Sequence, residues 1–335
     1  MPHAVGINGF GRIGRGVLRA LVENKVEDIE VVAINDLSTP ETLAHLLKHD
    51  SVHGRFDAEV SVSGDALVVN GKTIEVTAER DPAELPWQGV DIAMECTGLF
   101  TARDKAAAHL KNGSKRVLIS APGAGADRTV VYGVNHKDLT AQDVIVSNAS
   151  CTTNCLAPVA YVLDQLVGIK TGYMTTIHAY TGDQPSHDAP HKDLYRGRAA
   201  AVSMVPTSTG AAKAISLVLP HLEGRLEGSA VRVPTPNVSL VDLCFMPERP
   251  ATKEAINDAV KAAAEGPLKG VLGYADEPLV SIDFNHDPHS STFAPAQTAV
   301  TKDGMVRVVS WYDNEWGFAN RMIDTGRALA VLAKG

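Results

Sequence analysis

The sequence predicts a two-domain chain: a doubly wound α/β domain, then an α+β domain with a mainly antiparallel sheet. Three observations lead there. Short apolar runs alternate with helical-period segments through the first 150 residues. A strand, a GxGxxG turn and a helix follow one another near the start. From Tyr173 onward the apolar runs come as strands with turn residues between them and few helical stretches. A chain of 335 residues is also longer than a single core usually grows, so division at about residue 150 is natural.

Composition narrows the class. With 44% hydrophobic residues both domains have material for a core. Thirty-one basic against 39 acidic residues give a formal net charge of -8, which excludes general affinity for nucleic acid or acidic membranes. Any anion site has to be local. No signal-like segment and no apolar run of spanning length is seen, so the expectation is a soluble, cytoplasmic protein without membrane attachment. The four cysteines, Cys96, Cys151, Cys155 and Cys244, include no CxxC pair. Neither a disulfide framework nor a metal site is expected.

Ala4 to Asn8 reads as a buried strand. Gly9, Gly11 and Gly14 then form the turn, and Ile13, Val17, Leu18, Leu21 and Val22 continue at helical spacing. Glycines let the backbone approach a pyrophosphate, whose charge meets the helix N-terminus. A second strand, Ile29 to Ile34, ends in Asn35 and Asp36, about 20 residues on, where a Rossmann-type domain places the carboxylate that holds ribose hydroxyls. Leu37 follows with no arginine beside it, which favours NAD over NADP, although Arg55 and Arg80 lie further along. Residues 59–77 read as an antiparallel excursion with a hairpin at Asn70-Gly71. Val90 to Cys96 is the next strand, ending in Thr97 and Gly98. A helix from Thr101 to Leu110 and strands Arg116 to Ser120 and Val144 to Val146 complete the domain. Thr97, Gly98 and Ser120 fall at strand ends, where such sheets bind ligands, but turn residues of no further role have the same appearance.

The last strand delivers Ser147-Asn148-Ala149-Ser150-Cys151-Thr152-Thr153-Asn154-Cys155. An apolar helical run follows from Leu156 to Leu166, so Cys151 stands at a helix start, where unpaired N–H groups and the helix dipole favour thiolate. The alternative is a buried structural cysteine. A thiolate near a dinucleotide suggests aldehyde oxidation: sulfur adds to the carbonyl, hydride leaves to NAD, and a thioester remains.

SNASCTTNCLAP at Ser147 to Pro158, INGFGRIGR at Ile7 to Arg15, RVPTPN at Arg232 to Asn237 and WYDNEWG at Trp311 to Gly317 resemble the bacterial-type phosphorylating glyceraldehyde-3-phosphate dehydrogenase family. The resemblance covers nearly the whole chain. It implies a Rossmann domain over 1–150, to which the helix in 318–335 returns, and a catalytic domain over 151–317. It implies a homotetramer acting in glycolysis, and reversible oxidation of glyceraldehyde 3-phosphate with NAD and inorganic phosphate to 1,3-bisphosphoglycerate. Twelve histidines offer no choice by spacing. The likeness of Ile177 to Thr181 to the family's histidine motif selects His178 as base, with an ion pair to Cys151 at rest and the Cys151 N–H and His178 steadying the oxyanion. By the same resemblance Gly9, Gly11, Arg12, Ile13, Gly14, Asp36, Arg80, Thr97, Gly98, Ser120 and Asn314 hold the cofactor. Thr181, Arg196 and Arg232 take the substrate phosphate, and Ser150, Thr152, Thr209 and Gly210 the attacking phosphate.

The chain departs from the family pattern at Gly182, often asparagine, at Ala189, often leucine in NAD-using members, and at Phe318, often tyrosine. Leu37 and Pro190 keep the NAD-like form, so NAD with some NADP tolerance is expected. Two rivals stand beside the main reading. One is an erythrose-4-phosphate dehydrogenase, which shares DFNHDPHS at Asp283 to Ser290. The other is a catalytically silent dinucleotide-binding regulator. The Thr209-Gly210 pair favours phosphorolysis, and the full set of catalytic residues favours turnover. In the second domain, strands are expected at 231–233, 239–245, 280–284, 298–301 and 305–312, with helices from Lys253 to Ala264 and Phe318 to Leu332.

Overall fold

Val5 and Ile7 of β1 (His3–Asn8) are fully buried, as are Ile34 of β2 (Ile29–Asn35) and Ile92 and Met94 of β8 (Ile92–Glu95). Such burial contributes about 1.5–3 kcal/mol per side chain and fixes these strands at the centre of a sheet. The computed structural model describes residues 1–333 and divides into two units, Met1–Ser150 with the chain from Ala319, and Cys151–Phe318.

In the first unit β1 leads through Gly11 into α1 (Arg12–Glu23), which buries Val17, Leu18 and Leu21. After β2, α2 (Pro40–Lys48) starts where the Thr39 hydroxyl accepts the Thr42 N–H and Pro40 occupies the first turn. A two-stranded ribbon, β3 (His49–Asp50) and β4 (Gly54–Arg55), follows. Next come β5 (Val60–Ser63), β6 (Ala66–Val69) and β7 (Lys72–Thr77), joined as antiparallel neighbours. Beyond β8 the expected single helix from Thr101 is two short ones, α3 (Arg103–Ala106) and α4 (Ala108–Lys111). The break at Ala107 lets the second piece turn His109 fully inward. The remaining strands are β9 (Arg116–Ile119), β10 (Arg128–Thr129) and β11 (Ile145–Ser147). The sheet runs β10-β11-β9-β8-β1-β2-β7-β6-β5, parallel from β10 to β7. Strand order reverses at β1, which makes the carboxyl ends of β1, β2 and β8 the natural crevice of a doubly wound sheet.

The second unit opens with α5 (Cys151–Val167), buried on nearly every side, as a central helix must be. Strands β12 (Ile169–Ala179), β13 (Val205–Ser208), β14 (Leu226–Val233) and β15 (Ser239–Pro247) precede α6 (Lys253–Glu265). Then come β16 (Leu272–Tyr274), β17 (Ser291–Phe293), β18 (Ala299–Val300) and β19 (Val306–Tyr312). The order is β13-β14-β12-β15-β19-β17-β16, with β18 beside β19, and most pairs are antiparallel. Val280 to Phe284 is not a strand: Ser281–Phe284 is a 3-10 turn. The Asp283 carboxylate accepts the Val280 N–H, and Val280 and Ile282 point to solvent. An Asx-type local bond has prevailed over the apolar alternation. The last helix, α7 (Trp316–Leu332), begins in this unit and continues in the first, where Thr325 donates to the Asn148 side chain at 2.7 Å.

Candidate active site

The glycine turn closes against its neighbours. Gly9 has φ +91°, and a Cβ there would stand 2.7 Å from the Thr97 nitrogen, so only glycine fits. At Gly11 an added Cβ meets nothing within 4 Å, and no side chain caps α1. Open space in front of an uncapped helix start is where a pyrophosphate belongs. The adjoining cavity, about 340 Å³, is lined by Asn8, Gly9, Gly11, Asn35, Asp36, Leu37, Glu79, Arg80, Cys96, Thr97, Leu99 and Phe100. Asp36 accepts the Phe10 N–H at 2.9 Å and the Ser38 N–H at 3.0 Å, which aims its carboxylate at the cavity's rim. These features fit an adenine dinucleotide.

Of the residues expected there from sequence, Gly9, Gly11, Asp36, Arg80 and Thr97 line the cavity. Arg12, Ile13, Gly14, Gly98 and Ser120 do not. Arg12 pairs with Asp50 at 2.5 Å, and the Asp50 carboxyl, despite burial, falls to about 2 through backbone N–H groups of His53 and Val52 and the Arg12 guanidinium. Ser120 faces the Cys96 thiol, which burial pushes up to about 12.

At the end of the first unit the chain leads toward α5 through Ala149, which has φ +56°, an unusual value for a residue with a Cβ. Cys151 opens the helix, partly buried. Its Sγ lies 3.5 Å from His178 Nε2. His178 Nδ1 stands 2.7 Å from the Ala179 carbonyl oxygen and 3.1 Å from Arg232 Nη1; the shorter contact is to an oxygen that can only accept, so Nδ1 carries the proton and Nε2 presents a lone pair to the thiol. That is the tautomer a general base requires. Parallel pairing of β12 with β14 places His178 opposite Arg232. The Arg232 guanidinium donates to the Ala179 carbonyl and to the Thr181 hydroxyl, both at 3.0 Å.

Burial, and next the charge of Arg232, push His178 down to about 3. Burial also pushes the Cys151 thiol up, against the opposing effects of Arg232 and Thr152. Burial of both groups therefore works against the ion pair expected from sequence and toward a neutral thiol facing a neutral imidazole. Arg232 is itself disfavoured by burial and by Arg196, it forms no ion pair among the described residues, and its Nε has no hydrogen-bond partner. Asp183 offsets part of that penalty, and the guanidinium keeps a donor for an arriving anion.

Arg196 donates to Asp183 at 2.8 Å and to the Thr207 hydroxyl at 3.1 Å, and Thr181 donates to the other Asp183 oxygen. Asp183, which sequence reasoning passed over, thus ties Thr181 to Arg196. Thr152 directs its hydroxyl to Tyr312, 2.9 Å away, and Tyr312 also meets Thr176 at 2.9 Å. Thr209 caps the Ala211 N–H, and Gly210 is exposed with room for a Cβ. Asn314 accepts from the Ser239 hydroxyl at 2.7 Å, and that hydroxyl accepts the Ala179 N–H at 3.0 Å. Asp313, also missed, takes N–H groups of His286, Glu315 and Trp316 and so holds the start of α7. Among the described residues no group of three or more His, Cys, Asp or Glu side chains is placed to hold a metal.

A doubly wound nucleotide domain followed by a helix-start cysteine with its own histidine base defines a dinucleotide-dependent dehydrogenase that works through a covalent cysteine. The model of the NAD binding domain of glyceraldehyde 3-phosphate dehydrogenase matches residues 3–103, and that of its C-terminal domain matches residues 150–314. Glyceraldehyde-3-phosphate dehydrogenase of Cereibacter sphaeroides is 67% identical over 99% of this chain and 100% of the relative. That of Xanthobacter flavus is 66% identical, again over 99% and 100%, and glyceraldehyde-3-phosphate dehydrogenase 1 of Bacillus subtilis is 59% identical over 98% and 99%. The chain belongs to the glyceraldehyde 3-phosphate dehydrogenase family and is an NAD-dependent phosphorylating aldehyde dehydrogenase.

Proposed function

We propose that Cys151, His178 and Arg232 carry out the family's reaction, the reversible oxidation of glyceraldehyde 3-phosphate to 1,3-bisphosphoglycerate, in the following way. The observation that carries this reading is the 3.5 Å approach of Sγ to a His178 Nε2 left unprotonated by the Ala179 carbonyl. His178 takes the thiol proton at Nε2 as sulfur bonds to the aldehyde carbon, and passes it to the carbonyl oxygen, giving the hemithioacetal. NAD, when bound, accepts the hydride. His178 withdraws the hydroxyl proton again as the thioester carbonyl forms. Inorganic phosphate attacks that carbonyl, the acyl–sulfur bond breaks, and Cys151 leaves as thiolate, which His178 reprotonates.

Arg232, with Thr181 and Arg196, anchors the substrate phosphate. That anion offsets the Arg232 charge that depresses His178, and in doing so raises the basicity of His178 at the moment a base is needed. Ser150, Thr209 and Gly210 take the attacking phosphate. Thr152, occupied by Tyr312, acts there mainly by steadying the cysteine turn. Asp36, Arg80, Thr97 and the glycine turn hold the adenosine and pyrophosphate of NAD, and Asn314 its carboxamide. NADP is tolerated to the extent that Leu37 and Ala189 leave room for the extra phosphate. The working form is a homotetramer in the cytoplasm. No helix among the described residues is long and apolar enough to cross a membrane.

A kinetic matrix tests the reading: glyceraldehyde 3-phosphate and erythrose 4-phosphate, NAD and NADP, with and without phosphate. Steady NADH formation from glyceraldehyde 3-phosphate should require phosphate or arsenate. Undiminished turnover without either would overturn the assignment of the acyl acceptor.

A further inference from the structure

Beneath the dinucleotide cavity lies a closed polar cluster that none of the roles above uses. Glu95 and His109 are fully buried, with Nε2 of the imidazole 2.9 Å from Glu95 Oε2. The same oxygen accepts from Asn8 Nδ2 at 2.7 Å, and Glu95 Oε1 accepts both the Thr97 N–H, at 2.9 Å, and the Thr97 hydroxyl. Thr97 Oγ1 in turn accepts the Leu99 N–H at 3.0 Å. On the other side Asn8 Oδ1 accepts from Asn35 Nδ2 at 2.7 Å, and the Asn35 side chain clamps Glu79 through both its N–H and its carbonyl at 2.8 Å. Asn8, Asn35, Glu79, Thr97 and Leu99 all line the cavity. His109 does not touch it. It reaches the cluster from α4, stacked on Trp87 at 5.6 Å, and its Nδ1 has no hydrogen-bond partner. The proton therefore sits on Nε2, facing the carboxylate, since a proton on Nδ1 would be buried without an acceptor.

We propose that the Glu95–His109 pair is the positioning device of the dinucleotide site: His109 fixes the carboxylate, and the carboxylate sets the two loops and Asn8 that shape the cavity. This rests on reading that cavity as the NAD site. Four donors saturate the two oxygens of Glu95. Removing the one that makes no contact with the ligand lets Glu95 turn, and Thr97 and Asn8 turn with it. A merely structural pair would lower thermal stability and leave the affinity of the folded protein unchanged.

The test uses the full chain and reads NAD dissociation constants by calorimetry, thermal midpoints, and KM for NAD against kcat. His109→Phe keeps the ring on Trp87 and removes the donor. It should weaken NAD binding about tenfold or more, the size of a lost hydrogen bond to a charged acceptor, and raise KM for NAD alike while kcat at saturation is little changed. His109→Gln restores a donor at the Nε2 position and should recover most of the loss. A His109→Phe protein that binds NAD as the wild type does, or a His109→Gln protein as weak as His109→Phe, overturns the proposal. If His109→Phe is not recovered folded, Glu95→Gln decides. Its amide keeps an acceptor for Thr97 but opposes an NH2 to Asn8, so it should weaken NAD to a similar degree, and wild-type affinity refutes the idea. Asp36→Ala, at the cavity itself, is the separate check: if it leaves NAD affinity intact, the reading of the cavity fails, whatever the His109 variants do.

Discussion

The two units bury polar groups at their strand ends in opposite ways. In the first, the Glu95 carboxylate is met by four donors and the cluster closes on itself. In the second, Arg232 is half-buried and forms no ion pair among the described residues, beside an imidazole pushed down to about 3 and a thiol pushed up. A saturated cluster is stiff and serves to hold a shape. An unsatisfied cation costs stability and serves to recruit an anion, because the ligand's charge cancels a penalty already built into the fold. Shape is therefore the business of the nucleotide unit, and charge that of the catalytic unit.

The largest expected effect comes from removing the group that the second region exists to activate. Cys151→Ser should lower kcat by at least ~10⁴-fold, since an alcohol at this site has no comparable nucleophile to offer, while NAD affinity stays within about twofold. Calorimetry beside steady-state assays checks both parts. If NAD affinity falls with activity, the division of labour between the units is wrong.

Arg232→Gln is next. With Arg232 in its proposed role at the substrate phosphate, loss of this half-buried charged donor should raise KM for glyceraldehyde 3-phosphate roughly 10–100-fold. It also lifts the charge that depresses His178, so the pH profile of Cys151 alkylation by iodoacetamide should shift as the imidazole becomes easier to protonate. Saturating sulfate with the wild type should shift it in the same direction. An unchanged profile in both cases would show that Arg232 does not control the base.

The His178 shift has a sign for stability as well. Its folded value, about 3, lies below the ordinary histidine value of about 6.5, so between these two the unfolded chain binds the extra proton and the folded chain does not. Stability rises with pH through that window, is fully present above about 6.5, and is lost as pH falls toward 3. His178→Asn should flatten this part of the curve. Urea midpoints at pH 4, 5, 6 and 7 for both proteins measure the difference, and parallel curves would contradict the assignment.

How much of this was legible in the sequence follows the same division. Gly9, Gly11 and Asp36 stood out because a strand, a turn and a helix must follow one another in one short segment, and Cys151 because an apolar helix begins at it. His178 needed the family resemblance, since one histidine among twelve has no local mark. The closed cluster was invisible: Asn8 and Glu95 are 87 residues apart, and only the parallel pairing of β1 with β8 makes them neighbours. Asp183 and Asp313 were missed because a carboxylate that serves another side chain looks, in sequence, like any surface acid. Val280 to Phe284 misled in the opposite sense, its alternation belonging to a capped turn with two apolar side chains in solvent.

The smallest effect bears on whether the second unit also contains a shape-holding element. Ser239 passes orientation from β12 to Asn314: its hydroxyl accepts the Ala179 N–H and donates to Asn314 Oδ1, which leaves Nδ2 as the donor end of that amide. With alanine there, Asn314 can flip, and half of its orientations present an oxygen where its proposed role at the nicotinamide carboxamide needs a donor. One net hydrogen bond is worth about 0.5–1.5 kcal/mol, so Ser239→Ala should raise KM for NAD roughly two- to tenfold. Substrate KM and the alkylation profile of Cys151 should hold, because neither depends on that amide. Ser239→Thr, which keeps the hydroxyl, should stay close to wild type. If the alanine variant instead shifts the Cys151 profile, Ser239 acts through Ala179 on His178, and the catalytic unit holds its base by the same bond that orients Asn314.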